Sequence, residues 1–314
     1  MVRFITDSAS DMIQGDRENV TVLPMTITFG EESYADGVDL SHTAFYEKLV
    51  ESDNLPTTSQ IPPAVFEEAF QAVKDAGDQA VVILMSSKLS GTYQSACIAA
   101  EDFEGTIYVV DSEHVTLGER CLIEYGLGLQ KQGLTAAEIA EQLNVEKKHI
   151  RLVALLDTLE YLKKGGRVSK AVAFAGGLLS IKPVVSITNG EVQVVGKARG
   201  SKQGNNLLVQ EISKAGGVDF DRPYFLGYTG LSDALLQKYI KDSADLWKDS
   251  VDHLEGYSVG GTIGTHAGPG AVAVAFFAKE KSFGIKQCGR SEDRPQIYAK
   301  GARTFHVRAP FVYP

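Results

Sequence analysis

Continuous apolar runs alternate with amphipathic stretches through the first half of the chain, and this order predicts strands followed by helices. Val2-Arg3-Phe4-Ile5-Thr6 reads as a short strand that stops at Asp7-Ser8-Ala9-Ser10-Asp11, a run of turn and capping residues. Residues 20–29 are β-rich and predict another strand. Residues 64–74 place Val65, Phe66, Ala69, Phe70 and Val73 on one helical face. Residues 80–85 are apolar throughout, as a strand covered on both faces requires. Residues 91–100 read as a helix of small residues. Residues 106–110 read as a buried strand ending at Asp111-Ser112, and residues 135–143 as a helix capped by Thr135. The repeat predicts an open, Rossmann-like parallel sheet in an N-terminal α/β domain over residues 1–150.

The pattern changes near residue 150. Residues 151–156 predict a strand, and residues 159–164 and 172–179 predict helices. Residues 182–188 and 191–197 flank Asn189-Gly190, the strongest short-range signal for a β-hairpin. A strand over 224–228, a helix over 233–244 and a segment over 257–261 follow. These predict a C-terminal α/β domain with a mixed or antiparallel sheet over residues 151–280. Residues 281–314 are an atypical tail, comparatively basic and without either period; a disordered tail, a cloning remnant and a frameshifted end all fit it.

Composition narrows the classes of function. The 314 residues are 44% hydrophobic and 23% charged, the balance of a globular chain. A net charge of -9 argues against a nucleic-acid partner. Cys97, Cys121 and Cys288 are odd in number and far apart, which suggests a reducing compartment rather than a disulfide framework. No apolar run reaches membrane-spanning length and no signal-peptide pattern opens the chain, so the expected location is cytoplasmic. The six histidines are dispersed, with no metal-ligand spacing. A P-loop is absent: Gly196-Lys197 is followed by Ala198, and Glu191 stands where its first glycine belongs. No cofactor is expected.

Candidate chemistry lies in the loops. Pro56-Thr57-Thr58-Ser59-Gln60-Ile61-Pro62 precedes a predicted helix, and Ser86-Ser87-Lys88-Leu89-Ser90-Gly91-Thr92-Tyr93 joins a buried strand to another. Ligands of open parallel sheets sit beyond the carboxyl ends of the strands. A hydroxyl beside a helix N-terminus suits an anion there. Thr58 and Ser90 therefore read either as carboxylate or phosphate ligands or as plain helix caps. Arg167, in Lys163-Lys164-Gly165-Gly166-Arg167-Val168-Ser169, and Arg199, after the hairpin, read as phosphate-binding forks or as solvated basic residues. Ile263-Gly264-Thr265-His266-Ala267-Gly268-Pro269-Gly270 holds a histidine among small residues. It reads as a Gly-Pro turn that contains a histidine, or as a histidine held beside a ligand.

Taken in order, the Asp7–Asp11 run, Thr57-Thr58-Ser59-Gln60, Leu89-Ser90-Gly91-Thr92-Tyr93, Gly165-Gly166-Arg167 and His266-Ala267-Gly268-Pro269-Gly270 resemble the DegV family, with Asp111-Ser112 and Ile181-Lys182-Pro183 also in place. The resemblance covers roughly residues 1–280; Ile61 after Gln60 departs from the commoner proline. DegV proteins are bacterial fatty-acid-binding proteins, and some are the acyl-carrying subunit of fatty acid kinase. The resemblance implies a ligand tunnel between the two domains. A long-chain fatty acid would lie in it with its carboxylate held by Thr58, Ser90 and the Gly91 N–H. About fifteen buried methylenes, at ~0.8 kcal/mol each, supply more than ~10 kcal/mol. The chain would be a non-catalytic carrier. A separate ATP-dependent fatty acid kinase, related to dihydroxyacetone kinase, would phosphorylate the bound acid to an acyl phosphate. Arg167, Arg199 and His266 would sit near the phosphoryl group or the docked kinase. This reading allows transient contact with a membrane surface.

Two other functions compete. A lipid-binding regulatory or storage protein would share every feature except the kinase. A hydrolase would use Gly256-Tyr257-Ser258-Val259-Gly260 as a nucleophile elbow. That motif needs a helix next, and Gly261-Thr262-Ile263-Gly264 predicts none; no acidic residue separates Ser258 from His266.

Overall fold

The structure, a computed structural model, describes residues 1–168, 181–248 and 254–279. The helix expected over 172–179, Ser169 and the tail from 281 lie outside the described residues. In the first half the elements are β1 (Val2–Asp7), β2 (Val20–Leu23), β3 (Thr26–Phe29), β4 (Glu32–Ala35), α1 (His42–Glu51), β5 (Thr57–Ser59), α2 (Pro63–Asp75), β6 (Gln79–Leu84), α3 (Thr92–Ala100), β7 (Ile107–Asp111), α4 (Thr116–Lys131) and α5 (Ala136–Glu146). Strands β2-β1-β6-β7 form a four-stranded, wholly parallel sheet. Every residue from Ala80 to Leu84 is buried, as the unbroken apolar run requires. Thr135 caps α5 through a reciprocal pair of bonds with Glu138.

The strand expected over 20–29 is two strands in two sheets. Pro24 separates them, and a proline cannot donate to a ladder. Strand β2 pairs with β1, while β3 joins β4 and β5 in a small antiparallel sheet that carries Thr58. Helix α4 is enclosed by its surroundings: Glu119, Arg120 and Glu124 are buried along with Leu117, Leu122 and Ile123.

In the second half the elements are β8 (Ile150–Leu155), α6 (Glu160–Lys164), β9 (Ile181–Thr188), β10 (Glu191–Arg199), α7 (Gly200–Lys214), β11 (Tyr224–Tyr228), α8 (Ala234–Asp242), α9 (Ala244–Trp247), β12 (Gly256–Ser258), α10 (Gly261–Ala267) and β13 (Val272–Phe277). They build a six-stranded mixed sheet, β10-β9-β8-β13-β11-β12. The β9–β10 hairpin turns at Asn189 (φ 51) and Gly190 (φ 80), both left-handed as this tight turn demands.

The strand period of two divides this sheet between two cores. Val153, Leu155, Val184, Val272, Val274 and Phe276 pack with Leu208 and Ile212 of α7 and Leu236 and Tyr239 of α8. Leu152, Ala154, Leu156, Val185, Ala273 and Phe277 belong to the core shared with the parallel sheet and α4. The small residues fall together: Ala154 pairs with Ala273, which pairs with Gly227 on its other side. Leu117 covers Gly227, and space remains above the two alanines.

Candidate functional site

That space is a cavity of about 880 Å³, its open mouth included. Its apolar walls come from the inner face of the mixed sheet, among them Leu152, Ala154, Ile187 and Ala273, and from Ile263 and Ala267 of α10. Polar side chains line it as well: Thr58, Gln60, Ser90, Arg167 and His266, with Thr116, Thr229 and Thr262. Four residues singled out in the sequence, from four separate segments, therefore meet at one cavity.

Thr58 lies mid-strand in β5, opposite Ile27, so its hydroxyl caps no helix. It is 3.0 Å from His266 Nε2. Ser90 stands just before α3, where its Oγ accepts the Thr92 N–H at 3.2 Å and lies 2.9 Å from Thr92 Oγ1. Gly91 is the N-cap of α3. A Cβ there would stand 2.0 Å from Gln60 Oε1, so only glycine lets Gln60 lie across the helix start, where its amide donates to Ser95 Oγ at 2.9 Å. Arg167 donates from Nε to the Leu89 carbonyl at 3.3 Å and from Nη1 to the Gly165 carbonyl, tying the loop after α6 to the loop before α3. Arg199 does not join them: it is exposed at the end of β10, with its backbone N–H on Gln203 Oε1.

Burial pushes the His266 imidazole down to about 4, and the Arg167 charge pushes the same way. At neutral pH the ring is uncharged, and Arg167 supplies the one formal positive charge among the described residues lining the cavity. The unfolded chain holds this proton near 6.5, so between the two values it binds more protons than the native state, and stability falls as pH drops through that window. His266→Gln is expected to remove this component. Relative to wild type, the variant should gain about 2–3 kcal/mol between pH 7 and pH 4.5 in urea unfolding. Parallel stability curves for the two proteins would contradict a neutral, enclosed imidazole.

Gly165 sets the position of that ring. A Cβ at Gly165 would stand 2.2 Å from His266 Nδ1. Gly165→Ala is expected to displace the ring, cost about 1–3 kcal/mol of stability and shift the His266 imidazole resonances. An unmoved spectrum would refute the packing.

Helix α10 corrects the expectation for Gly261-Thr262-Ile263-Gly264, which is helical. Its local sequence is poor, but its first N–H groups have remote acceptors. Asp11 accepts the Gly260 N–H at 2.8 Å, and Asp36 accepts those of Gly261 and Thr262 at 3.2 and 3.1 Å. Buried carboxylates at a helix N-terminus satisfy both its orphan donors and its dipole. Asp7 works in the same cluster, taking the Met85 N–H at 3.0 Å. Burial pushes Asp7 up to about 7, against its two backbone hydrogen bonds and with the nearby Asp36 and Asp11 charges. Burial likewise carries Asp11 up to about 6, opposed by His42, Thr116 and the Gly260 N–H. The Asp7–Asp11 run was visible in sequence; Asp36 carried no local signal.

With α10 in place, β12, a short turn and a helix do follow one another around Ser258. No hydrogen bond joins Ser258 Oγ to a histidine or carboxylate among the described residues, and His266 is engaged with Thr58. Among those residues no helix is long and apolar enough to cross a membrane.

Comparison with known proteins adds the family. The model for uncharacterised proteins of the DegV family matches residues 1–279. A DegV domain-containing protein of Caldanaerobacter subterraneus is 34% identical over 282 residues, 88% of this chain and 99% of the relative. One from Deinococcus radiodurans is 33% identical, across 87% and 97%. Two solved structures share the fold. A DegV family protein from Thermus thermophilus, described for its fatty acid binding, has a TM-score of 0.78 at 28% identity, covering 88% of this chain and 99% of that one. A fatty acid binding DegV family protein from Streptococcus agalactiae has a TM-score of 0.77 at 26% identity, covering 89% and 99%. A family match that spans all three sheets and every segment of the polar cluster makes this chain a member of the DegV family.

Proposed function

We propose that this protein binds a long-chain fatty acid in the cytoplasm and presents it to a separate ATP-dependent fatty acid kinase. The observation that carries the reading is an apolar cavity whose polar end gathers Thr58, Ser90, Arg167 and His266. The tail lies along the mixed sheet, where each methylene contributes about 0.8 kcal/mol. The carboxylate takes hydrogen bonds from Thr58, Ser90 and the Gly91 N–H, each contributing about 1.5–3 kcal/mol because the acceptor is charged. Hydroxyls neutralise a carboxylate less than a bidentate arginine does, which leaves an oxygen nucleophilic. In the kinase complex that oxygen attacks the γ-phosphorus of ATP, ADP leaves, and an acyl phosphate forms. Arg167 and His266 sit at the reacting end, and Arg199, outside the cavity, is assigned to the docked kinase. The carrier performs no chemistry itself.

Native mass spectrometry of the protein purified from bacteria tests the binding. A retained fatty acid is expected, and a lipid-free wild type contradicts it. Adding a purified fatty acid kinase, ATP and oleate tests the partnership. Acyl phosphate no higher than with kinase alone would leave a lipid-binding regulatory or storage protein. An ester turnover lost in Ser258→Ala would restore the hydrolase.

A further inference from the structure

A second cavity, of about 620 Å³ with its open mouth included, lies apart from the polar cluster. Glu113 and His114, just past the carboxyl end of β7, line it, and ligands of open parallel sheets sit at such ends. Lys147, Lys148 and Arg151 come from the join between α5 and β8, and Asn189 from the tip of the β9–β10 hairpin. Lys147 is committed: its Nζ donates to the Asp111 carbonyl at 2.8 Å and lies 3.0 Å from the Glu113 carboxylate. The Asp111 carboxylate does not line the cavity and accepts the Ser87 and Glu113 N–H groups. Lys148 is exposed and has no ion pair among the described residues. The His114 imidazole adds no charge. Burial pushes it down to about 4 against a backbone hydrogen bond at Lys147, and the Arg151 and Lys147 charges push the same way as burial. Two positive charges are therefore in excess at this cavity, in a chain whose net charge is -9.

Arg151 is the informative residue. Six arginines among the described residues are not freely exposed. Four of them pair with a carboxylate: Arg3, Arg17, Arg120 and Arg222. The other two have none among the described residues, and each lines a cavity, Arg167 the first and Arg151 the second. The Arg151 Nη1 donates to the Lys148 and Ile150 carbonyls, both at 2.7 Å, which fixes the guanidinium. Its Nε and Nη2 have no partner among the described residues, and neither is sealed from solvent. A half-buried guanidinium held in place with a free donor edge suits an oxyanion. We infer that this cavity is a binding site for a small phosphate monoester. Such an ester carries close to two negative charges at neutral pH, matching the excess of Lys148 and Arg151, whereas a carboxylate neutralises only one. Ile150 and Ile187 also line the cavity and give the organic part of the ester an apolar surface. The site is independent of the fatty-acid reading, since neither Lys148 nor Arg151 lines the first cavity.

The test titrates AMP, glycerol 3-phosphate, inorganic phosphate and adenosine calorimetrically, at fixed salt, into wild type, Arg151→Gln, Lys148→Gln and Lys131→Gln. Wild type is expected to bind both esters saturably at ~1 mM or tighter, inorganic phosphate more weakly and adenosine not at all. Arg151→Gln should weaken the esters about tenfold or more, the scale of one hydrogen bond to a charged group. Lys148→Gln should weaken them too, and because Lys148 is exposed its replacement tests the site without disturbing the fold. Lys131, exposed at the end of α4 and outside the cavity, is the control, and its variant should bind as wild type does. No saturable ester binding by wild type overturns the inference. So does ester binding that neither Arg151→Gln nor Lys148→Gln weakens, or a loss as large in Lys131→Gln, which would mark general charge attraction. Inorganic phosphate bound as tightly as both esters overturns the assignment to an ester.

Discussion

Replacing Thr58 by valine and Ser90 by alanine together is expected to weaken fatty-acid binding by about two to four orders of magnitude. Each substitution removes a hydroxyl donor to a charged acceptor, at about 1.5–3 kcal/mol apiece. The methylenes keep their contacts, so the loss should appear in affinity and not in the heat-capacity change that reports apolar burial. The two changes have different side effects. Thr58→Val also leaves His266 Nε2 without its 3.0 Å partner in an enclosed site, which costs about 1–3 kcal/mol of folding stability. Ser90→Ala leaves the Thr92 N–H at the start of α3 without its side-chain acceptor, at about 1 kcal/mol. Calorimetric titration with oleate, beside urea unfolding of each single variant, separates the contributions. A double variant that binds oleate within threefold of wild type would show that the carboxylate lies elsewhere.

Ala273→Leu is expected to abolish binding of long acids without lowering the unfolding midpoint of the ligand-free protein. A leucine forced into a filled core costs about 1–3 kcal/mol through strain. Here the added carbons enter the cavity above the Ala154–Ala273 pair, where they gain dispersion contacts that the empty wall lacks. Stability and binding should therefore move apart. The side chain occupies the volume that the acyl chain needs, so affinity for hexadecanoic acid should fall at least about a hundredfold, with shorter acids less affected. A variant that is destabilised yet still binds long acids would place the tail away from this part of the sheet.

Much of the fold was legible where burial is two-sided or where turn chemistry is local. The run from Ala80 to Leu84 is apolar throughout because both faces of β6 are covered. Asn189-Gly190 specifies its hairpin because few other residues tolerate two successive left-handed conformations. The division of β13 was also present in the sequence as a small–large alternation, Ala271-Val272-Ala273-Val274-Ala275. Read with the strand period, it places alanines on one face and leaves room there.

Other features were beyond local reading. Helix α4 carries charged residues on a buried surface because their partners come from elsewhere, such as Thr6 for Glu119 at 3.1 Å and Arg17 for Glu124 at 2.9 Å. Helix α10 looked unable to form because glycine-rich segments rarely do so alone; Asp11 and Asp36, more than two hundred residues away, supply the caps that it lacks.

The chain by itself determined which side chains were available for a site: hydroxyls before a helix, a guanidinium after paired glycines, a histidine among small residues. It also determined the change from a parallel sheet to a hairpin-bearing mixed one, since both follow from patterns a few residues long. Only the tertiary structure decided that Thr58 touches His266, that His266 is neutral, that Arg199 stands apart from the cavity and that the Thr262 hydroxyl is enclosed without a partner among the described residues. The physical reason is common to all four. Enclosure, desolvation and hydrogen-bond satisfaction depend on atoms brought from distant segments, and no local pattern encodes that convergence.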